Sequence, residues 1–248
     1  MKYLVVLSGG QDSTACLFWA KARVDCTELH AITFNYGQRH ALEIEAARKV
    51  AEMAGVDSHE VIDVPGCLKS TSPLTSGSSL EKYRDAEQME QVIGNRVELT
   101  FVPMRNTLFL TIAANRALAL GCEKIVTGVC QEDNANYPDC RERYIMAMEV
   151  AINESLGAHH VEIMTPLMHF SKALTCQMAL DLGPKSWAAV AYTHTSYDGK
   201  YPPTDMNHSN VLRAKGFEDA MLPDPLVLRA NNEGLMPLPL TANYDRYR

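Results

Sequence analysis

No C-x-x-C pair occurs in the 248 residues, and the seven cysteines, Cys16, Cys26, Cys67, Cys122, Cys130, Cys140 and Cys176, are odd in number. That pattern argues against a disulfide framework and for a reduced, cytoplasmic protein. No apolar run approaches the ~20 residues that cross a bilayer, so no membrane span is expected, and no signal peptide is expected ahead of the first strand. Basic residues are in deficit, 23 Lys and Arg against 30 Asp and Glu, for a net charge of −7. Nonspecific wrapping of nucleic acid needs clustered Lys and Arg, so direct nucleic-acid binding is not expected, whereas a small anion in a local basic pocket is compatible. Internal repeats and low-complexity tracts are absent. So is G-x-x-x-x-G-K-[ST], which excludes a kinase-type P-loop.

What is present is an alternation of strands and helices, with 46% hydrophobic residues to fill a core. Tyr3 to Leu7 is a short apolar run that stops at Gly9 and Gly10, and Thr14 to Arg23 reads as a helix. Leu29 to Phe34 is a second strand ending in the polar cluster Asn35 to His40. A helix then runs up to Gly55, and "HEVIDV" is a third strand. Residues 65–99 read as a long loop and candidate lid, with one short helix near Ala86 to Val92. "NTLFLTIAANRALALG" predicts a helix with Asn106 as N-cap and Gly121 as its stop. "KIVTGV" is a fourth strand, followed by a helix from about Arg141 to Leu156, the strand "VEIMTP" and a helix from Lys172 to Leu182. The alternation predicts an α/β fold, a doubly wound and mostly parallel sheet with ligands outside the carboxyl ends of its strands. Beyond Gly183 the prolines predict a small irregular C-terminal region, so the expected division is 1–185 for the nucleotide-binding, catalytic domain and 186–248 for an appendage.

Gly9 and Gly10 permit a sharp turn, and Ser8, Ser13 and the first N–H groups of the following helix face the same spot. This suits a phosphate; it also suits a capped Gly-Gly turn with no ligand. Asp12 beside a phosphate calls for a cation, so Mg²⁺ is expected with Asp12 as its ligand. Arg39 and Arg105 suit phosphate or carboxylate charge, with a surface ion pair as the lesser alternative for Arg39. Tyr137 suits stacking on a base or a place in the core. Cys130 and Cys140 have no neighbouring His to activate a thiolate, so they are read as small buried side chains rather than nucleophiles.

"SGGQDS" matches the S-G-G-x-D-S signature of the PP-loop ATP pyrophosphatases, and with it the chain resembles adenine nucleotide alpha hydrolase-like folds that cleave ATP between the α and β phosphates. "FNYGQRH", "FVPMRN", "TGVCQEDNANYPDCR" and "TPLMHFSKA" extend the resemblance to the 7-cyano-7-deazaguanine (preQ0) synthase family, in order from residue 2 to about Lys172. That resemblance implies a carbon-nitrogen ligase of queuosine biosynthesis, converting 7-carboxy-7-deazaguanine, ammonia and ATP into a nitrile with release of AMP and pyrophosphate. It implies Ser8, Gly9, Gly10, Gln11, Asp12, Ser13, Tyr36, Gln38 and Arg39 as nucleotide-binding residues. Arg105, Asn106, Asp133, Tyr137, Asp139 and Arg141 would be substrate-binding, and Asp12, Ser13 and Lys172 catalytic. It further implies a homodimer. Two rivals stand beside it: a paralogue that stops at the amide or passes the activated deazaguanine to another acceptor, and an inactive nucleotide-binding subunit.

The chain departs from the family at its C-terminus. The family carries a structural zinc on four cysteines ahead of a stretch that survives here as "VLRAKGF", Val211 to Phe217, yet no cysteine follows Cys176. Ser196, Thr204, Asn207 and Asn210 occupy the ligand positions, and hydroxyls and amides do not hold Zn²⁺. His194, Asp198, Asp205 and His208 match no common zinc spacing. The expectation is therefore no zinc, with hydrogen bonds among the four replacements and the stiffness of Pro202 and Pro203 in place of the metal.

Overall fold

The computed structural model describes residues 1–37, 42–131, 135–196 and 199–248. The chain runs β1 (Lys2–Val6), α1 (Gln11–Lys21), β2 (Glu28–Asn35), α2 (Leu42–Ala54), β3 (Ser58–Asp63), α3 (Pro73–Ser76), α4 (Ala86–Ile93), α5 (Arg105–Leu120) and β4 (Lys124–Val126). It continues through α6 (Glu142–Leu156), β5 (Glu162–Met164), α7 (Lys172–Asp181), α8 (Pro184–Val190), α9 (His208–Asp219) and α10 (Pro225–Asn232), with 3-10 turns at Pro138–Cys140 and Ala242–Tyr247.

The five strands form one parallel sheet in the order β3-β2-β1-β4-β5. Side chains alternate across β1. Tyr3, Val5 and Leu7 pack with Leu17 and Ala20 of α1 and Ala47 and Val50 of α2. Leu4 faces the other way, with Ile32 and Phe34, onto Leu110 and Ala113 of α5 and Ile145 and Ile152 of α6. Val5 and Leu7 are 0% exposed, a burial that stabilises by about 1.5–3 kcal/mol per side chain. With helices on both faces, the interior of β1 must be apolar, and Tyr3 to Val6 reads that way. The strand order reverses between β1 and β4, and the loops leaving these strands diverge there to open a crevice.

Four features differ from the sequence expectations. α1 begins at Gln11, so Gln11, Asp12 and Ser13 are its first turn. α5 begins at Arg105 after Met104 in the left-handed region at φ 66°, so Asn106 lies inside the helix and is not its N-cap. Residues 65–99 contain two helices, and α4 packs Met89 and Ile93 against Val211 of α9. Among the described residues, the stretch beyond Gly183 holds three α-helices: α8 lies on α1 and α2, and α9 lies on α7. Pro184 and Pro225 sit in the first turn of α8 and α10, where a missing N–H costs nothing.

Candidate active site

The loop after β1 is held by its own hydroxyls. Ser13 Oγ accepts from Ser8 N at 3.1 Å and donates to Gly10 O at 3.2 Å. Ser8 Oγ accepts from Gly10 N at 3.2 Å and lies 3.0 Å from Ser13 Oγ. Gly9, at φ +85°, packs beneath α2: a Cβ there would lie 2.3 Å from Glu43 O and 2.8 Å from Ala47 N. Gly9 therefore serves a close contact between backbones, while Gly10, extended at φ −80° and N-cap of α1, faces the crevice. The first N–H groups of α1 have no acceptor within the helix, and its dipole adds roughly half a positive charge at that end. Gly128, just past β4, closes the other side; a Cβ on it would stand 3.0 Å from Ser13 N.

A distant residue supplies the cation at this loop. Lys172, the first residue of α7, places Nζ 2.9 Å from Asp12 Oδ2. Its stem passes against Gly216 of α9, where a Cβ would be 2.4 Å from Lys172 Cγ.

The crevice, of about 280 Å³, is lined by Ser8, Gly10, Gln11, Asp12 and Ser13 together with Tyr36, Glu43, Arg105, Asn106, Phe109, Tyr137, His194 and Thr195. Phe34 and Phe109 stack at 4.1 Å with planes 5° apart, and the Arg105 guanidinium lies 6.0 Å from the centre of the Tyr36 ring. A second cavity of about 440 Å³ adjoins it through Cys130, Tyr137 and Cys140 and includes Arg141. Tyr137 thus stands between the two spaces. Its hydroxyl is tied to Thr100 and to buried Glu98, and its ring is tilted against Phe101 at 5.4 Å.

The sequence-predicted residues divide into three groups. Ser8, Gly10, Asp12, Ser13, Tyr36, Arg105 and Tyr137 meet at the crevice, with Lys172 reaching it through Asp12 and Arg141 opening onto the second cavity. Gln11 and Asn106 line it too, each tied to a neighbour: Gln11 Nε2 donates to Cys176 Sγ at 3.0 Å, and Asn106 Nδ2 donates to Asp139 O at 3.1 Å. Gly9 and Asp139 are not among the lining residues; Asp139 is buried in the 138–140 turn, where desolvation raises its carboxyl above the usual range and Arg105 opposes the rise. Gln38, Arg39 and Asp133 lie outside the described residues. The sequence reading missed Glu43, Phe109, His194 and Thr195. Only Glu43 had a local signal, a carboxylate in the first turn of a helix that begins just after the quoted "FNYGQRH".

Burial pushes the Glu43 carboxyl up to about 7, with Arg105 pulling the other way. A folded pKa above the unfolded one means that Glu43 favours folding below its ordinary range, and that this contribution is lost as pH rises through 7. Because the residue is only half-buried, about 1–2 kcal/mol is expected of the shift. Glu43→Gln should therefore gain stability relative to the parent chain between pH 5 and pH 8, read by urea denaturation at each pH; a difference that stays constant contradicts the assignment.

At the positions where the resemblance implies zinc, Asn210 Nδ2 donates to Ser196 Oγ at 2.8 Å and to Asp205 O at 2.7 Å. Asn207 Nδ2 donates to the same Ser196 Oγ at 3.4 Å, and Asn207 Oδ1 accepts from Ser209 Oγ and from Asn210 N. Thr204 is exposed, outside this cluster. Among the described residues no group of three or more His, Cys, Asp or Glu is placed to hold a metal. This donor set does not fit Zn²⁺.

The S-G-G-x-D-S loop of residues 8–13, entering a helix N-terminus at the reversal of a parallel sheet, places the chain in the PP-loop class of ATP-using α/β proteins. A family model described as queuosine biosynthesis protein QueC matches residues 2–221, and the chain belongs to that family. The 7-cyano-7-deazaguanine synthase of Gloeobacter violaceus is 45% identical over 228 residues, 91% of this chain and 95% of the relative. That of Chromobacterium violaceum is 44% identical over 232 residues, covering 94% and 95%. That of Laribacter hongkongensis is 45% identical over 230 residues, covering 91% and 94%.

Proposed function

We propose that this chain is a carbon-nitrogen ligase that converts 7-carboxy-7-deazaguanine, ammonia and ATP into 7-cyano-7-deazaguanine (preQ0), releasing AMP and pyrophosphate. The observation that carries the reading is the Ser8–Ser13 loop at the reversal between β1 and β4, in a chain that shares 44–45% identity with synthases of that name. A carboxylate is a poor electrophile, so its oxygen first attacks the α-phosphorus of ATP and pyrophosphate departs. The charge that develops on the leaving group falls on the first N–H groups of α1 and on Lys172, donors fixed before the reaction begins. Ammonia then displaces AMP and loses a proton, giving the amide. The amide oxygen attacks a second ATP, and loss of AMP with the remaining N–H protons leaves the nitrile.

Gly10, Gln11, Asp12 and Ser13 would grip the phosphates, and Tyr36, Gln38 and Arg39 the rest of the nucleotide. Arg105, Asn106, Asp133, Tyr137, Asp139 and Arg141 would shape the deazaguanine site, with Tyr137 between the two spaces and Arg105 able to meet the carboxylate. Mg²⁺ would accompany the phosphates and neutralise their charge; Asp12 offers the single carboxylate that such a phosphate-bound ion takes from a protein. In this reading residues 1–185 carry the chemistry and 186–248 form an appendage that braces it.

No helix among the described residues is long and apolar enough to cross a membrane. The cytoplasm, where the seven free thiols stay reduced, and a homodimer belong to the same proposal. So does the lack of structural zinc: metal analysis of the purified protein is expected to find less than about 0.1 zinc per chain, and chelators should leave the unfolding temperature unchanged. One tightly held zinc per chain contradicts this.

The function is tested by incubating the protein with 7-carboxy-7-deazaguanine, ammonium and ATP and identifying products by mass. Nitrile with AMP is expected. Amide alone selects the paralogue that stops early, and no AMP at all removes both enzymatic readings.

A further inference from the structure

Arg213 lies in α9 with 4% of its surface exposed. Its Nε and Nη2 donate to Asp224 Oδ2 and Oδ1 at 2.6 and 2.8 Å. Its Nη1 donates to both Thr193 Oγ1 and Thr195 Oγ1 at 2.8 Å, and Nη2 reaches Val190 O, at the end of α8, at 3.4 Å. A buried ion pair is poor evidence for stability, because apolar packing of the same volume often does as well. What a guanidinium adds is direction: five donors in a rigid fork can fix several acceptors relative to one another.

The acceptors it fixes belong to a strap, residues 193–196, that lies on the nucleotide loop. His194 N donates to Gly9 O at 2.9 Å. The same residue's carbonyl is 3.8 Å from where a Cβ on Gly10 would stand. Thr195 lines the crevice and also the neighbouring space that holds Lys172. The strap's far end is held by α9 as well, through Asn210 on Ser196. One helix therefore grips the strap at two points, and the strap brackets both loop glycines.

We propose that Arg213 is a positioning residue for nucleotide activation: by holding Thr193 and Thr195 it fixes the strap over Gly9 and Gly10 and sets where the departing pyrophosphate rests against α1. The proposal rests on ATP being the nucleotide bound there. A displacement of about 1 Å in such a wall is enough to cost up to ~10²-fold in rate. The hydroxyls matter in this arrangement because they are the handles by which the guanidinium holds the strap.

The test compares the full-length protein with Arg213→Lys, which keeps a charge for Asp224 but cannot span both hydroxyls, and with the double variant Thr193→Val, Thr195→Val. ATP affinity is measured by calorimetry, and AMP release is followed with 7-carboxy-7-deazaguanine and ammonium. ATP is expected to bind about tenfold more weakly, and AMP release to slow about 10- to 100-fold. The KM for the deazaguanine acid should stay within about twofold, because the strap faces the nucleotide. Folded variants that match the parent in ATP affinity and AMP release overturn the proposal. So does a loss that follows only the folded fraction with ATP affinity unchanged. If Arg213→Lys does not fold, the threonine pair decides. A parent protein that binds ATP yet releases no AMP with the acid contradicts the substrate reading alone, since the affinity comparison still judges the strap.

Discussion

Gly9→Ala is expected to lower the unfolding temperature by roughly 6–12 °C and to reduce AMP release. The new methyl would meet Glu43 O at 2.3 Å and Ala47 N at 2.8 Å, both backbone atoms of α2, at a φ of +85° that disfavours any L side chain. Neither neighbour can swing away, so the loop and α2 must separate. Left-handed strain and overpacking together should cost about 3 kcal/mol or more, a large share of the ~5–15 kcal/mol that holds an ordinary domain. Gly10→Ala provides the contrast. Gly10 is extended, and its nearest neighbour would be Ser8 Oγ at 3.3 Å, so that variant should fold and lose ATP affinity instead. Thermal unfolding of the two variants separates these outcomes, and equal midpoints would contradict the distinction between a structural and a ligand-facing glycine.

Lys172→Ala is expected to reduce AMP release by about 10²–10³, the usual cost of deleting one donor aimed at charge that develops in a transition state. Lys172 reaches the loop only because α7 begins there and because Gly216 leaves room for its stem, so the variant should fold normally. Asp12→Asn should fall comparably, since the same carboxylate holds Lys172 Nζ at 2.9 Å. Quenched assays counting AMP give both rates; activity within about fivefold of the parent in either variant would remove that residue from the catalytic set.

The fold was legible wherever period and composition agreed. β1 and β2 are mostly apolar and buried because both faces of the sheet are covered, with His30 and Thr33 the polar residues inside β2, and the loop after β1 stands out because a glycine pair sits between a buried strand and a helix. Asn106 misled for a physical reason. Asparagine is among the best N-caps, but here Met104 takes the left-handed turn and the Asn106 amide is used across the fold on Asp139 O. The C-terminal helices were hidden by prolines read as breakers; Pro225 begins a helix instead of ending one, as does Pro184 ahead of it. Of the site, the glycine loop and its distant partners Tyr36, Arg105 and Tyr137 could be named in advance from motifs. Glu43, His194 and Thr195 could not, since each acquires its place only when α2 or the strap packs against the loop. The hydrogen-bonded cluster of Ser196, Asn207 and Asn210 was foreseeable in kind from the residues that stand where thiolates would be, though Thr204 takes no part in it.

The proposal that the Ser8–Ser13 loop serves two successive adenylations has a stoichiometric consequence. Starting from 7-carboxy-7-deazaguanine with excess ammonium, two AMP should form for each nitrile, and starting from the isolated amide, one. ADP in place of AMP, or a single AMP per nitrile from the acid, would contradict the assignment of the Ser8–Ser13 loop to both rounds.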